Sequence, residues 1–239
     1  MSRVGGDYSE LFILAPAHAG TSAMAKLLLG SPRVWSRIDN AEGQKIPASA
    51  PFLPPVFWSR KYTPDWLALK AVWEEGRPED AILLEKSPPI LAHVDALLTT
   101  WPRSFFVISM RDPFALVASY LQRRNATDEQ VRGSVRRWLV RSRLQRENVE
   151  RLAGRSIVTT YEAFASRPTD LVAALEQVFG PLSIEADRPV KVKQYEPAPI
   201  SDHNERQIAT MAPAHLALAR ELLLAQAAED LAFWGYAAD

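Results

Sequence analysis

The chain has 239 residues with 28 basic and 28 acidic side chains, so it carries no net charge at pH 7 and is no general polyanion binder. Hydrophobic residues make up 47% and charged residues 23%, a globular composition, and a chain of 239 residues forms a domain that buries roughly 70% of its unfolded surface. Cysteine is absent, which excludes a disulfide scaffold, thiolate zinc sites, a cysteine nucleophile and an iron–sulfur cluster; four scattered histidines (His18, His93, His203, His215) argue against a histidine-rich metal site.

Leu11-Phe12-Ile13-Leu14 reads as a buried strand that stops at Ala15-Pro16. It is too short for a membrane span or a signal peptide, and Asp7 and Glu10 precede it, so a soluble, cytoplasmic chain is expected. Thr21–Leu29 has helix-forming composition and ends at Gly30-Ser31-Pro32, giving strand, small-residue loop and helix. Residues 47–64 contain Pro47, Pro51, Pro54, Pro55 and Pro64 and predict a loop carrying Phe52, Phe57 and Trp58. Trp66, Leu69, Lys70 and Trp73 then share the spacing of one helix face.

Ala81–Glu85 reads as a second strand, ended by Lys86-Ser87-Pro88-Pro89 because proline cannot continue a ladder. A helix is expected over Ile90–Thr99 and a third strand over Ser104–Ser109, after which Pro113 opens a helix. Val131, Val135, Trp138, Leu139, Val149 and Leu152 fit one long amphipathic helix from Asp128 to Leu152. Ser156–Thr159 is a fourth strand, and helices follow at about Thr169–Phe179, Asn204–Met211 and Pro213–Gln226, with Asp202 and Ala212-Pro213 marking starts. Strands alternating with helices predict an α/β fold of three layers, a central parallel sheet with helices on both faces, in a single domain over residues 1–239. Ligands of such sheets bind beyond the carboxyl ends of the strands, and the chemically informative motifs fall there.

The first motif is Ala15-Pro16-Ala17-His18-Ala19-Gly20-Thr21-Ser22, between the first strand and its helix. Against the nucleotide-hydrolase loop G-x-x-x-x-G-K-[ST], Gly20 and Ser22 are in register, but Ala15 replaces the first glycine and Thr21 the lysine. A helix N-terminus with two hydroxyls still holds an anion, without the point charge that ATP with magnesium requires. The plain alternative is a strand-to-helix turn in which Thr21 only caps.

The second motif is Met110-Arg111-Asp112-Pro113, with Ser119 eight residues after Arg111 and about two helical turns along. An arginine fork and a hydroxyl so placed converge on one phosphate; the alternative is Arg111 paired with Asp112 or another surface acid.

Together these motifs resemble the sulfotransferases that use 3′-phosphoadenosine 5′-phosphosulfate (PAPS). In that superfamily the first loop, usually Arg/Lys-Ser-Gly-Thr-Thr/Ser, binds the 5′-phosphosulfate, and Arg-[Asp/Asn]-Pro with its serine binds the 3′-phosphate. Leu84-Glu85-Lys86-Ser87-Pro88 resembles the Lys-[Ser/Thr/Asp]-Pro element, Thr160-Tyr161-Glu162-Ala163-Phe164 the Tyr-Glu segment, and Trp234-Gly235-Tyr236 the Leu-Gly-Tyr ending. The resemblance covers about residues 11–165 and the tail. It implies that His18, Ala19, Gly20, Thr21 and Ser22 contact the 5′-phosphosulfate, Arg111 and Ser119 the 3′-phosphate, and that Tyr161 belongs to the cofactor site. His18 stands where the family has Arg or Lys, and Ala19 where it has Ser. No Arg-Lys-Gly loop is found near the C-terminus; Lys191 and Lys193 substitute for it or are solvated strand residues.

The resemblance further implies transfer of a sulfuryl group to a hydroxyl of a small molecule or glycan, releasing PAP, with no metal. No aromatic interleaving among the basic residues suggests nucleic-acid binding, so no nucleic-acid partner is expected, and the apolar helix faces near the C-terminus serve a core or a homo-oligomer equally well. Lys86 then supplies positive charge to the transferring group; the alternative is a snorkelling surface lysine. The histidine that follows the Lys-Thr pair in one branch is here Pro88, which excludes that base. Other branches place a glutamate after the first helix, where this chain has Glu42, either the general base or an exposed loop acid. His18 and His93 are the remaining base candidates. Competing readings are a P-loop small-molecule kinase and a non-catalytic nucleotide-binding relic that acts as a partner protein. The ten arginines from Arg123 to Arg155 either attract an anion or form the polar face of the long helix, balanced by C-terminal acids. Phe52–Trp73 is an acceptor wall or lid, or else core.

Overall fold

The computed structural model describes residues 7–121, 126–192 and 196–237, so Arg123 and Lys193 lie outside the described residues. Among these, five strands form one parallel sheet: β1 (Glu10–Leu14), β2 (Val34–Trp35), β3 (Ile82–Glu85), β4 (Ser104–Met110) and β5 (Ser156–Thr160), ordered β2-β3-β1-β4-β5. β1, β3 and β4 are buried along their whole length, which is why their sequences are continuous apolar runs instead of alternating ones. Leu11 pairs with Leu84 on one side and Phe105 on the other, fixing the register of the three central strands. From β1 the chain travels toward β2, and from β4 toward β5. Right-handed crossovers in opposite directions put helices on opposite faces and open a crevice at the carboxyl ends of β1 and β4.

The helices are α1 (Thr21–Leu28), α2 (Trp66–Glu74), α3 (Val94–Thr100), α4 (Pro113–Leu121), α5 (Asp128–Arg151), α6 (Tyr161–Ser166), α7 (Pro168–Phe179), α8 (Asn204–Ile208), α9 (Pro213–Gln226) and α10 (Ala228–Trp234). Most fall where the sequence predicts them, and Thr127 opens α5 with a reciprocal capping box to Gln130. Three differ. β2, a two-residue edge strand, is too short to show a period. The segment expected as one helix over Ile90–Thr99 is a 3₁₀ turn over Pro88–Ala92 followed by α3, because two adjacent prolines lack the N–H groups an α-helix needs. α6 and α10 are short additions that the sequence reading does not include; Thr160 caps α6 by accepting the Ala163 N–H at 3.2 Å, whereas no side chain caps α10.

The aromatic segment divides. Trp66 and Trp73 are core, with Trp73 stacked on Trp101 at 5.6 Å and Phe12 edge-on to Trp101 at 5.3 Å. His93 is structural, its Nε2 bonded to the Phe57 carbonyl at 2.7 Å, and burial pulls its pKa down. α5 carries buried amides: Gln145 donates to the Leu14 and Ser109 carbonyls at 2.5 and 3.2 Å, stitching the helix to the carboxyl ends of β1 and β4. On its outer face Arg143 and Arg146 meet Asp230 at 3.4 Å each, in accord with the polar-face reading, while Arg137 and Arg141 lie over the Tyr120 ring. Among the described residues no helix is long and apolar enough to cross a membrane.

Candidate active site

The loop after β1 turns into α1 through two left-handed residues, His18 (φ 69°) and Gly20 (φ 75°). Gly20 is the N-cap and Thr21 the first helical residue; no side chain caps the helix, so Thr21 is not merely a cap. A Cβ on Gly20 would lie 2.4 Å from the Tyr161 ring, so only glycine satisfies both the backbone and the close approach. Ala19 is fully buried and does not line the cleft. The first amides of α1 have no intrahelical acceptor and face the crevice with the positive end of the helix dipole.

Lys86 leaves the end of β3 beneath this loop with its side chain fully buried, so it is no snorkelling surface residue. Its Nζ donates to Ser22 Oγ at 3.3 Å and to Glu42 Oε1 at 2.5 Å. Glu42 is 8% exposed instead of a solvated loop acid, and Lys45 reaches its other oxygen at 2.6 Å. Burial alone pushes the Glu42 carboxyl up, but the bonds and charges of Lys45 and Lys86 outweigh it and hold the pKa below the usual range. Burial pulls the Lys86 ammonium down, against Glu42, which supports its charge. The arrangement is a carboxylate between two ammonium groups, next to a helix N-terminus.

Across β1, Arg111 follows β4 and is 6% exposed. Among the described residues it forms no salt bridge with an acid. Its Nε donates to Asn204 Oδ1 and its Nη1 to the His18 carbonyl, both at 2.8 Å, and its guanidinium lies 4.3 Å from the Tyr161 ring centre. Nη2 makes no hydrogen bond to a described residue. Ser119 Oγ shares a 2.8 Å hydrogen bond with His18 Nδ1, and Tyr120 donates to the Ala17 carbonyl at 3.1 Å, so α4 fixes the first loop from the far side. Trp138 Nε1 holds the Arg111 carbonyl at 3.0 Å.

Glu162 ties this end to the tail. It accepts from the Asp112 N–H at 2.9 Å, Asn204 Nδ2 at 2.6 Å and Tyr236 OH at 2.8 Å. Two motifs that lie 74 residues apart, Tyr161-Glu162 and Trp234-Gly235-Tyr236, therefore meet. Tyr161 OH donates to the Ser201 carbonyl and accepts the His203 N–H, both at 3.1 Å, and burial raises its pKa.

A cleft of about 740 Å³ opens between the two ends, and its walls include His18, Gly20, Thr21, Ser22, Glu42, Arg111, Ser119 and Tyr161. Lys86 lies behind this wall, reaching it through Ser22 and Glu42. Trp58 also lines the cleft, so that one tryptophan of the aromatic segment is wall. Arg206 and Gln207 of α8, to which no sequence motif points, line the cleft on the C-terminal side, whereas Lys191 is exposed and off the wall. Glu85 and Asn204 are likewise not singled out by the sequence, since their partners are remote in it.

The fold has solved counterparts. A sulfotransferase from Alicyclobacillus acidocaldarius superposes with a TM-score of 0.59 at 16% identity, covering 95% of this chain and 96% of that one. The sulfotransferase domain from the curacin biosynthetic pathway gives 0.54 at 15% identity over 99% of both chains. Sulfotransferase STF1 from Mycobacterium tuberculosis H37Rv gives 0.54 at 15% identity over 86% and 72%. No curated protein sequence matches the chain. A sequence model of the sulfotransferase family matches residues 58–181, a stretch that holds Lys86, Arg111, Ser119 and Tyr161. Since that match spans just over half of the 239 residues and the sheet and its helices follow the same architecture, the chain belongs to the sulfotransferase family.

Proposed function

We propose that this chain, as one sulfotransferase domain, transfers a sulfuryl group from PAPS to a hydroxyl of a small molecule or glycan and releases PAP. The observation that carries the reading is the contact between a buried cation, a carboxylate and a helix N-terminus: Lys86 Nζ is 2.5 Å from Glu42 and 3.3 Å from Ser22. The donor set suits a nucleotide with anionic groups at two ends. The N-terminus of α1 with the Thr21 and Ser22 hydroxyls on the cleft wall suits a phosphosulfate, and the fork of Arg111, which has no acid partner among the described residues, with Ser119 on the same wall suits the 3′-phosphate. His18 joins the two by bonding to Ser119, and Tyr161 walls the site through Gly20 and Arg111.

PAPS, when bound, supplies the sulfuryl group and the PAP leaving group. Glu42 is ionised at neutral pH because two lysines hold it so, and each of its oxygens keeps a lone pair beyond its lysine bond. It takes the acceptor's hydroxyl proton as the new O–S bond forms and the S–O bond to PAP breaks. Lys86 answers the charge that gathers on the transferring and leaving oxygens. A kinase reading has no lysine within the loop, where Thr21 stands; the cation comes from β3 instead.

The test is incubation with PAPS and a panel of alcohols, phenols and glycans without magnesium. Equal amounts of PAP and sulfate ester are expected. Glu42→Gln should bind PAP within about threefold of wild type and transfer about 10²–10⁴-fold more slowly. Magnesium-dependent ATP consumption with no PAPS turnover would reject the reading, and full transfer by Glu42→Gln would reject the base.

A further inference from the structure

Glu85 is the last residue of β3, immediately before Lys86, and is 2% exposed. The reaction above makes no use of it. Its Oε2 accepts the Gly43 N–H at 2.7 Å and its Oε1 the Ser87 N–H at 2.6 Å. One carboxylate therefore grips two chain segments, one residue after Glu42 and one residue after Lys86. The same seam holds Lys86 N–H to the Ala41 carbonyl at 2.7 Å, Gln44 N–H to Ser87 Oγ at 3.1 Å, and Ser49 Oγ to the Gly43 carbonyl at 2.8 Å. Trp73 Nε1 closes it through Ser49 at 3.1 Å. The fit is tight: a Cβ on Gly43 would lie 2.5 Å from Trp73 Nε1 and 2.8 Å from Glu85 Oε2.

A carboxylate at the end of Ile82-Leu83-Leu84 is costly to bury, and core packing alone favours an apolar residue there. What an apolar residue cannot do is accept two backbone N–H groups that point to one spot from different segments. We propose that Glu85 is a positioning residue for sulfuryl transfer: by holding the Gly43 and Ser87 amides together it keeps Glu42 and Lys86 face to face. This rests on the assignment of Glu42 and Lys86 made above.

The seam also responds to protons. Burial pushes the Glu85 carboxyl up to about 7, against the hydrogen bonds from Ser87 and Gly43 and the charge of Lys86. The charge that acts on it is that of Lys86, the residue after β3, which is itself paired with Glu42, and Glu42 in turn with Lys45; α2 presents the neutral indole of Trp73. Protonation sets an O–H where an amide N–H points, and one of the two bonds is lost. The competent geometry is thus gained as pH rises through about 7 and lost below it.

The experiment compares wild type with Glu85→Gln by two readouts. In amide NMR spectra of the nucleotide-free protein, the Gly43 and Ser87 resonances of wild type should titrate together with a midpoint near 7, and those of Glu85→Gln should not. PAP release from PAPS with water as acceptor should fall at least about tenfold in kcat, with PAP affinity kept within about threefold and the rise through pH 7 removed. Amides that do not titrate together, or a variant that keeps the wild-type kcat and pH profile, would overturn the role. If Glu85→Gln fails to fold, wild type decides: kcat that rises through pH 7 while PAP affinity stays flat supports the role, and flat kcat overturns it. A wild type that binds no PAP overturns the donor assignment and with it the reaction Glu85 serves. Normal PAP binding with unresponsive amides overturns Glu85 alone.

Discussion

Lys86 and Arg111 are both buried cations, one at the end of β3 and the other just after β4, and the chain holds them by different means. Lys86 is answered by a carboxylate at 2.5 Å, so its charge is already balanced in the folded protein. Arg111 is held by an amide oxygen, a backbone carbonyl and the face of Tyr161, none of which cancels its charge. The balanced pair suits chemistry, in which a proton leaves and charge moves. The cation with no salt-bridge partner among the described residues suits binding, because an incoming anion can pair with it. Neighbouring carboxylates show a parallel split: two lysines hold Glu42 down, whereas burial lifts Glu85 to about 7.

Stability and affinity should therefore separate between the two ends. Glu42→Ala leaves the Lys86 ammonium buried without its partner and should cost about 3–5 kcal/mol in urea unfolding. Arg111→Ala breaks bonds to neutral acceptors only. It should weaken PAP binding roughly ten- to hundred-fold by titration, with a smaller stability loss of about 1–2 kcal/mol. Equal stability losses for the two variants, or unchanged PAP affinity in Arg111→Ala, would break the contrast. The smallest effect is expected at Lys45, whose side chain is 55% exposed. Lys45→Met should change unfolding free energy by less than about 1 kcal/mol. A loss as large as that of Glu42→Ala would make Lys45, not Lys86, the partner that matters.

What could be read from the sequence follows how local each signal is. Four of the strands are visible as short apolar runs closed by turn residues, and the long helix α5 by its period, because these signals act within a few residues, as the agreement of Asp128–Leu152 with Asp128–Arg151 shows. The first loop and Arg111 with Ser119 are visible because each lies within one strand–turn–helix unit. Glu85 stood in plain view in Leu84-Glu85-Lys86, a carboxylate closing an apolar strand, but its partner Gly43 is 42 residues away and nothing local points to it. Asn204, which Arg111 meets across 93 residues, and the contact of Glu162 with Tyr236 are invisible for the same reason. β2 escaped because its two residues carry no period, and its pairing with β3 is a property of the sheet.

The central claim, that the crevice beyond β1 and β4 is a PAPS site, is tested most directly by calorimetric titration of the purified protein with PAP in the absence of magnesium, with ATP as control. Micromolar PAP binding with negligible ATP binding is the expected result. An absence of PAP binding, or ATP binding of equal strength, would contradict it.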